Sequence, residues 1–175
     1  MTSRRDRLVV VDPQVVFADP STSPWGSPMF GVAAGRMREL AEAFGPERTV
    51  FTRFVADPSL GGSWGPYYEE WGFALVPDED PLYAVVPELS GLAGQVVTAG
   101  TFGKWPVLAD VLGAGGHVTV CGVATDCCVL STVLPMADAG VTVEVVGAAC
   151  AGSTPENHRR ALDAMALFGP QVAVV

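Results

Sequence analysis

Positive charge is scarce in this chain. Its 175 residues carry 10 Lys+Arg against 19 Asp+Glu, a formal net charge of -9, and no cationic stripe offsets that balance. The one dense basic stretch, "SRRDR" at 3–7, reads as a solvated tail, so no nucleic-acid partner is expected. Histidine is scarcer still. His117 and His158 stand far apart, and no Cys-x-x-Cys pair occurs among the four cysteines, which leaves no zinc-ligand spacing. Long hydrophobic runs are missing as well. The apolar stretch 8–11 after the basic start is stopped by Asp12-Pro13, too short for a signal-peptide core or a membrane span. We therefore expect a cytoplasmic protein that engages no membrane and keeps its cysteines as free thiols.

What is abundant is apolar sequence: 49% of the residues are hydrophobic and only 17% are charged. The length suits one domain, 1–175, with a sizeable core. Short β-branched runs at 8–12, 48–55, 95–100, 117–122, 141–147 and 171–175 alternate with helical patterns near 31–44, 106–113, 126–139 and 155–168. Continuous rather than alternating apolar runs predict strands buried on both faces. Strand-helix alternation then predicts a parallel sheet of about six strands between helical layers. The last helix has a clear start in "STPEN", with Ser153 or Thr154 as N-cap and Pro155 in the first turn. One segment breaks the rhythm: 57–89 is rich in Gly, Pro and aromatics, and a loop of that length in a compact domain is often functional.

Parallel sheets bind ligands beyond the carboxyl ends of their strands. Three reactive residues fall there: Asp12 ends the first run, Lys104 follows the third, and the pair Cys127-Cys128 follows the fourth. Asp-Pro is commonly a turn, and it occurs at 12, 19, 57 and 80; only Asp12 ends a buried run. After Gly122 the chain turns into a helix with Thr125 or Asp126 as the expected N-cap. A thiol in that first turn meets the positive end of the helix dipole, which favours the thiolate. Carboxylate, ammonium and thiol together describe an activated nucleophile. Spacing alone does not choose between Cys127 and Cys128, while Cys121 and Cys150, set in apolar sequence, read as packing thiols.

The stretch "CGVATDCCVLSTVLPMADAG" resembles the nucleophile signature of the isochorismatase-like cysteine hydrolases, a superfamily that includes nicotinamidases and N-carbamoylsarcosine amidases. The resemblance spans nearly the whole chain. Matched residue by residue, it implies Cys128 as nucleophile, Asp12 of "VVDPQVVF" as the acid-base group and Lys104 as its cationic partner, with Trp105-Pro106 departing from the usual residues after that lysine. It further implies a Rossmann-like, three-layer α/β/α fold with a six-stranded parallel sheet in the order 3-2-1-4-5-6. The Val123-Ala124 peptide would be cis, the N–H groups of Ala124 and Cys128 would form an oxyanion hole, and the protein would be a homodimer or homotetramer.

Nicotinamidases of this superfamily carry a D-x-H-x-H metal motif after the second strand, and the corresponding stretch "TRFVADPSLGGSWGPYYEEW" has no histidine. No metal and no other cofactor are therefore expected. In its place stand aromatic residues, so Phe17, Trp25, Trp64, Tyr67, Tyr68 and Trp71 are expected to wall a pocket for a small-molecule substrate, with Phe54 and Trp105 as further candidates and Arg53 holding a carboxylate or tying down the loop. The function this implies is a metal-independent cysteine amidohydrolase acting on a small amide, carbamoyl or ureido compound through a thioester. The alternatives are an isochorismatase-type or pathway-specific hydrolase of another bond class, or a non-catalytic binding protein on the same fold.

Overall fold

A computed structural model of the chain describes residues 6–113 and 115–175. Residues 3–5 of the basic stretch lie outside them. The strands are β1 (Asp6–Val11), β2 (Thr49–Phe54), β3 (Gln95–Ala99), β4 (His117–Val123), β5 (Thr142–Ala151) and β6 (Val172–Val174); the helices are α1 (Val15–Ala18), α2 (Phe30–Phe44), α3 (Trp64–Glu70), α4 (Trp105–Leu112), α5 (Leu130–Asp138) and α6 (Pro155–Ala166). All strand pairs are parallel, in the order β3-β2-β1-β4-β5-β6. The parallel sheet of six strands is the one the apolar runs predict, and its order is the one the resemblance implies.

Right-handed crossovers place α2 on one face of this sheet and α4, α5 and α6 on the other. Consistently, α2 packs against β1, β4 and β5, whereas α4 touches α5 and α5 touches α6. The middle strands are buried as their apolar runs predict: Leu8, Val9, Val10 and Val11 are wholly inaccessible. β3 differs. It is an edge strand with most residues exposed or half-exposed, because only β2 pairs with it and α4 covers it incompletely.

The order of strands turns back between β1 and β4, and these two must approach closely. Gly122 makes that possible: it has φ 129, and a Cβ there would lie 2.2 Å from the carbonyl oxygen of Val11. The same residue marks a bulge against β5, where the register slips between Val120 and Gly122.

The 57–89 segment is less irregular than its composition suggests. Besides α3 it holds 3₁₀ turns at Pro58–Leu60, Gly72–Ala74, Pro81–Tyr83 and Pro87–Leu89. Its two Asp-Pro pairs explain two of these turns. Asp57 accepts from Ser59 N at 2.9 Å and Asp80 from Leu82 N at 2.9 Å, each capping a turn opened by proline. The third such pair behaves alike, Asp19 accepting from Ser21 N at 2.7 Å. Asp12 does not. Its carboxylate turns away from its own backbone, toward the neighbouring strands.

Candidate active site

Asp12 follows β1 with φ 48, a left-handed conformation that a non-glycine residue adopts only under constraint. Thr52 on β2 supplies that constraint. Its hydroxyl accepts from Asp12 N at 3.1 Å and donates to Asp12 Oδ1 at 2.6 Å. The other carboxylate oxygen, Oδ2, lies 3.0 Å from Lys104 Nζ, and both side chains are fully buried. The ammonium also donates to the carbonyls of Thr101 (2.6 Å) and Phe102 (3.0 Å), so its three N–H groups serve two carbonyls and one carboxylate oxygen. Oδ2 meets no donor besides this ammonium among the described residues. Burial alone would pull Lys104 down, but the Asp12 charge and then the two neighbouring thiols outweigh it, and its pKa moves up.

Lys104 is held from its backbone as well. Its N–H donates to Thr132 Oγ1 at 3.0 Å, and that hydroxyl donates to the carbonyl of Cys128 at 2.7 Å. One buried threonine on α5 thus joins the lysine to the cysteine turn. Gly103 permits the approach: a Cβ there would lie 2.6 Å from the Ser131 carbonyl. That carbonyl is the one that Pro135, lacking an N–H, leaves without its helical donor.

The cysteines lie in a π-helical turn, Thr125–Val129, rather than in the first turn of an α-helix. The Val123-Ala124 peptide before it is cis. Neither Thr125 nor Asp126 caps this turn, contrary to the sequence expectation. Thr125 Oγ1 instead pairs with His158 Nδ1 at 2.8 Å, and Asp126 accepts from Ser153 N (2.8 Å) and Ser153 Oγ (2.6 Å). Both side chains are drawn sideways toward α6, whose own N-cap is Thr154. His158 is pushed down by burial, with Asp126 opposing.

The two adjacent thiols shift in opposite directions. The neighbouring Cys127, with burial behind it, pushes Cys128 well above the ordinary thiol value, and Lys104 offsets only part of that. The interaction with Cys128 lowers Cys127, with burial opposing and Lys104 assisting. At Cys128 the expected pull of the helix terminus toward thiolate is thus overridden. The resting Cys128 keeps its proton until a base removes it.

Both cysteines open onto a cavity of about 210 Å³, whose floor includes Ala124 and whose rim includes Asp126 and Ser153. Its walls are Phe17, Trp25, Phe54, Tyr67 and Phe102. Trp25 is the centre of the aromatic cluster, stacked on Phe17 at 6.1 Å and edge-on to Phe54 at 5.6 Å and Phe73 at 4.7 Å.

The structure therefore brings Asp12, Lys104, Ala124 and Cys128 together with Phe17 and Trp25. Arg53, Trp64, Tyr68 and Trp71 lie outside the cavity lining. Arg53 is paired with Asp78 and donates to Tyr83 O, so it ties down the loop. Tyr68 is buried, its hydroxyl accepting from Asp57 N. Trp64 packs behind Tyr67 and Phe102, and Trp71 behind Trp25. Sequence reasoning passed over Phe102, Thr52, Thr132 and Ser153. Phe102 had a visible signal, its place between the end of the third strand and Lys104. The threonines had none, since a hydroxyl in an apolar run reads as β-propensity.

The family model for the isochorismatase domain matches residues 7–175. The chain belongs to the isochorismatase family. Solved structures with the isochorismatase fold include a cysteine hydrolase from Pseudomonas syringae pv. phaseolicola 1448A (TM-score 0.80, 19% identity, 97% of this chain and 88% of that one). Another is the pyrazinamidase of Pyrococcus horikoshii in complex with zinc (TM-score 0.75, 23% identity, 98% of each chain). A third is an isochorismatase-like hydrolase from Alkaliphilus metalliredigens (TM-score 0.74, 16% identity, 97% and 93%). At these identities the likeness establishes the fold. No curated protein matches the chain.

The zinc of the Pyrococcus protein raises the question of whether this isochorismatase-family site could hold one. The donors do not fit. No group of three or more His, Cys, Asp or Glu side chains with metal-binding geometry occurs among the described residues. Asp57, the carboxylate that follows β2, is occupied by Ser59 N and Oγ.

Proposed function

We propose that this protein is a metal-independent cysteine amidohydrolase that cleaves a small amide, carbamoyl or ureido substrate through a thioester. The observation that carries the reading is the buried pair: Asp12 Oδ2 lies 3.0 Å from Lys104 Nζ, both side chains fully buried, in a site whose Cys128 opens onto the cavity. Asp12 takes the Cys128 proton as the sulfur attacks the carbonyl carbon. The N–H groups of Ala124 and Cys128 receive the developing oxyanion, a contribution of about 3–4 kcal/mol per donor in comparable sites. Asp12 then protonates the leaving nitrogen. The same carboxylate activates the water that hydrolyses the thioester. Throughout, Lys104 holds Asp12 in place and keeps the site's charge balanced.

A cavity of about 210 Å³ suits a small substrate. We further propose a cytoplasmic enzyme that works as a homodimer or homotetramer; no helix among the described residues is long and apolar enough to cross a membrane. The test is a mass-spectrometric screen for amides that acylate Cys128, with ammonia release read in parallel for primary amides. Cys128→Ser should abolish turnover and Cys127→Ser should keep a substantial fraction. A dead Cys127 variant beside an active Cys128 variant would transfer the role to the neighbouring thiol.

A further inference from the structure

The cavity wall has an unusual charge inventory. No lysine, arginine or histidine among the described residues lines it. The nearby cation, Lys104, is fully buried behind the wall and committed to Asp12 and two carbonyls. The one acidic side chain at the rim is Asp126, both of whose carboxylate oxygens are held by Ser153. An anionic ligand would enter an aromatic chamber with no counter-ion and a negative neighbour, a costly placement for a desolvated charge. An uncharged ligand meets neither obstacle.

Tyr67 adds a directional feature. Its ring is fixed edge-on to Trp64 (5.1 Å, 78°), Tyr68 (5.4 Å, 79°) and Phe102 (5.5 Å, 76°), and tilted against Trp25 at 6.0 Å. Four aromatic contacts hold the ring, yet its hydroxyl has no hydrogen-bond partner among the described residues. Nor is that oxygen sealed from solvent, since it is not one of the fully buried, unbonded side-chain atoms of the described residues. Burial, and after it the charges of Cys127 and Cys128, push the phenol up, so it stays a donor at any physiological pH. A rigid ring that faces the thiols and carries a free O–H is arranged to meet an acceptor atom of a bound molecule.

Building on the reading of Cys128 as nucleophile, we infer that the cavity selects an uncharged substrate and that the Tyr67 hydroxyl is the donor that holds an acceptor atom of it. Tyr67 is then a specificity-determining residue contributed by α3.

Paired alkylation tests this without a known substrate. Iodoacetamide and iodoacetate present the same reactive carbon to a thiol, one on an uncharged amide and the other on a carboxylate. Rates at Cys128, resolved from Cys127 by fragment mass spectrometry near neutral pH, are divided by the rates for free cysteine. The expected result is a preference for iodoacetamide at least about ten-fold beyond that of free cysteine. Tyr67→Phe should slow iodoacetamide by roughly two- to ten-fold, the range of one neutral hydrogen bond, leave iodoacetate unaffected and leave the melting temperature unchanged. A reactive Cys128 with the free-cysteine preference, or a Tyr67→Phe protein alkylated at the wild-type rate, overturns this inference alone. If neither reagent modifies Cys128 faster than Cys121 or Cys150, the nucleophile reading falls and this inference with it.

Discussion

Lys104→Met is the most informative single change. The substitution keeps the length and most of the volume of the side chain but strands the Asp12 carboxylate, fully buried, with Thr52 as its remaining partner. The Thr101 and Phe102 carbonyls lose their donor at the same time. Breaking a buried ion pair from one side costs about 3–5 kcal/mol, most of it the penalty of the uncompensated charge. For a chain of this size each kcal/mol lowers the melting temperature by about 2–4 °C, so a drop of roughly 6–20 °C is expected in scanning calorimetry. The pH dependence has a definite sign. Lys104 is raised in the folded state, so its stabilisation is fully present below its ordinary pKa and is lost only as pH rises through the raised value. The Lys104 contribution to the gap between wild type and variant should be constant through neutral pH and fade only in strongly alkaline solution. The double variant Lys104→Met/Asp12→Asn removes the stranded charge, and should recover a large part of the loss. A single variant within about 1 kcal/mol of wild type, or a double variant whose losses simply add, would refute the claim that the pair is held as ions.

Gly122→Ala forces a Cβ to 2.2 Å from Val11 O at φ 129; it should cost several kcal/mol by separating β1 from β4, and a melting temperature within a few degrees of wild type would contradict the packing described. Activity should survive exhaustive chelation, because the donor set for zinc is absent among the described residues; loss on chelation with recovery on adding one metal would reverse that expectation. Light scattering should give at least twice the 18.2 kDa chain mass at micromolar concentration. Because Trp64 and Trp71 pack inward against other rings, the contact is better sought at the adjacent Leu167 and Phe168, exposed by 85% and 47%, and Leu167→Ser should shift the mass toward the monomer.

The fold was legible because its punctuation is local. Apolar runs bounded by Gly, Pro and capping residues placed each strand within a few residues, and Pro155 after Thr154 marked the start of α6. β5 ran longer than read, through 148–151, because "GAACA" looks like a turn in sequence while a bulge beside Gly122 keeps it in the sheet. That Asp12, Lys104 and the cysteine pair meet at one rim was legible because strand ends collect reactive groups. What stayed hidden depends on partners distant in the chain. Thr52 and Thr132 act across 40 and 28 residues, and nothing local distinguishes a hydroxyl that grips a carboxylate from one that fills a pleat. The aromatic wall was anticipated as a composition. Which ring faces inward follows from α3, a short helix that no strong periodicity announces.

Gln14 suggests how such a protein can change its diet while keeping its chemistry. Its buried carboxamide accepts from Phe54 N (2.7 Å) and donates to Phe54 O (2.9 Å) and Tyr83 O (2.8 Å). The chain between those two anchor points carries Tyr67 and much of the aromatic cluster, whereas Asp12, Lys104 and Cys128 all hang from other attachments. The stretch from 55 to 82 is thus mechanically a cassette, clipped at its ends by Gln14 and by Arg53, which also donates to Tyr83 O. Substitutions inside it would alter the cavity wall at Tyr67 and leave Asp12, Lys104 and Cys128 where they are, so exchange of the cassette between relatives should change which ligands fit, provided Gln14 and Arg53 are kept.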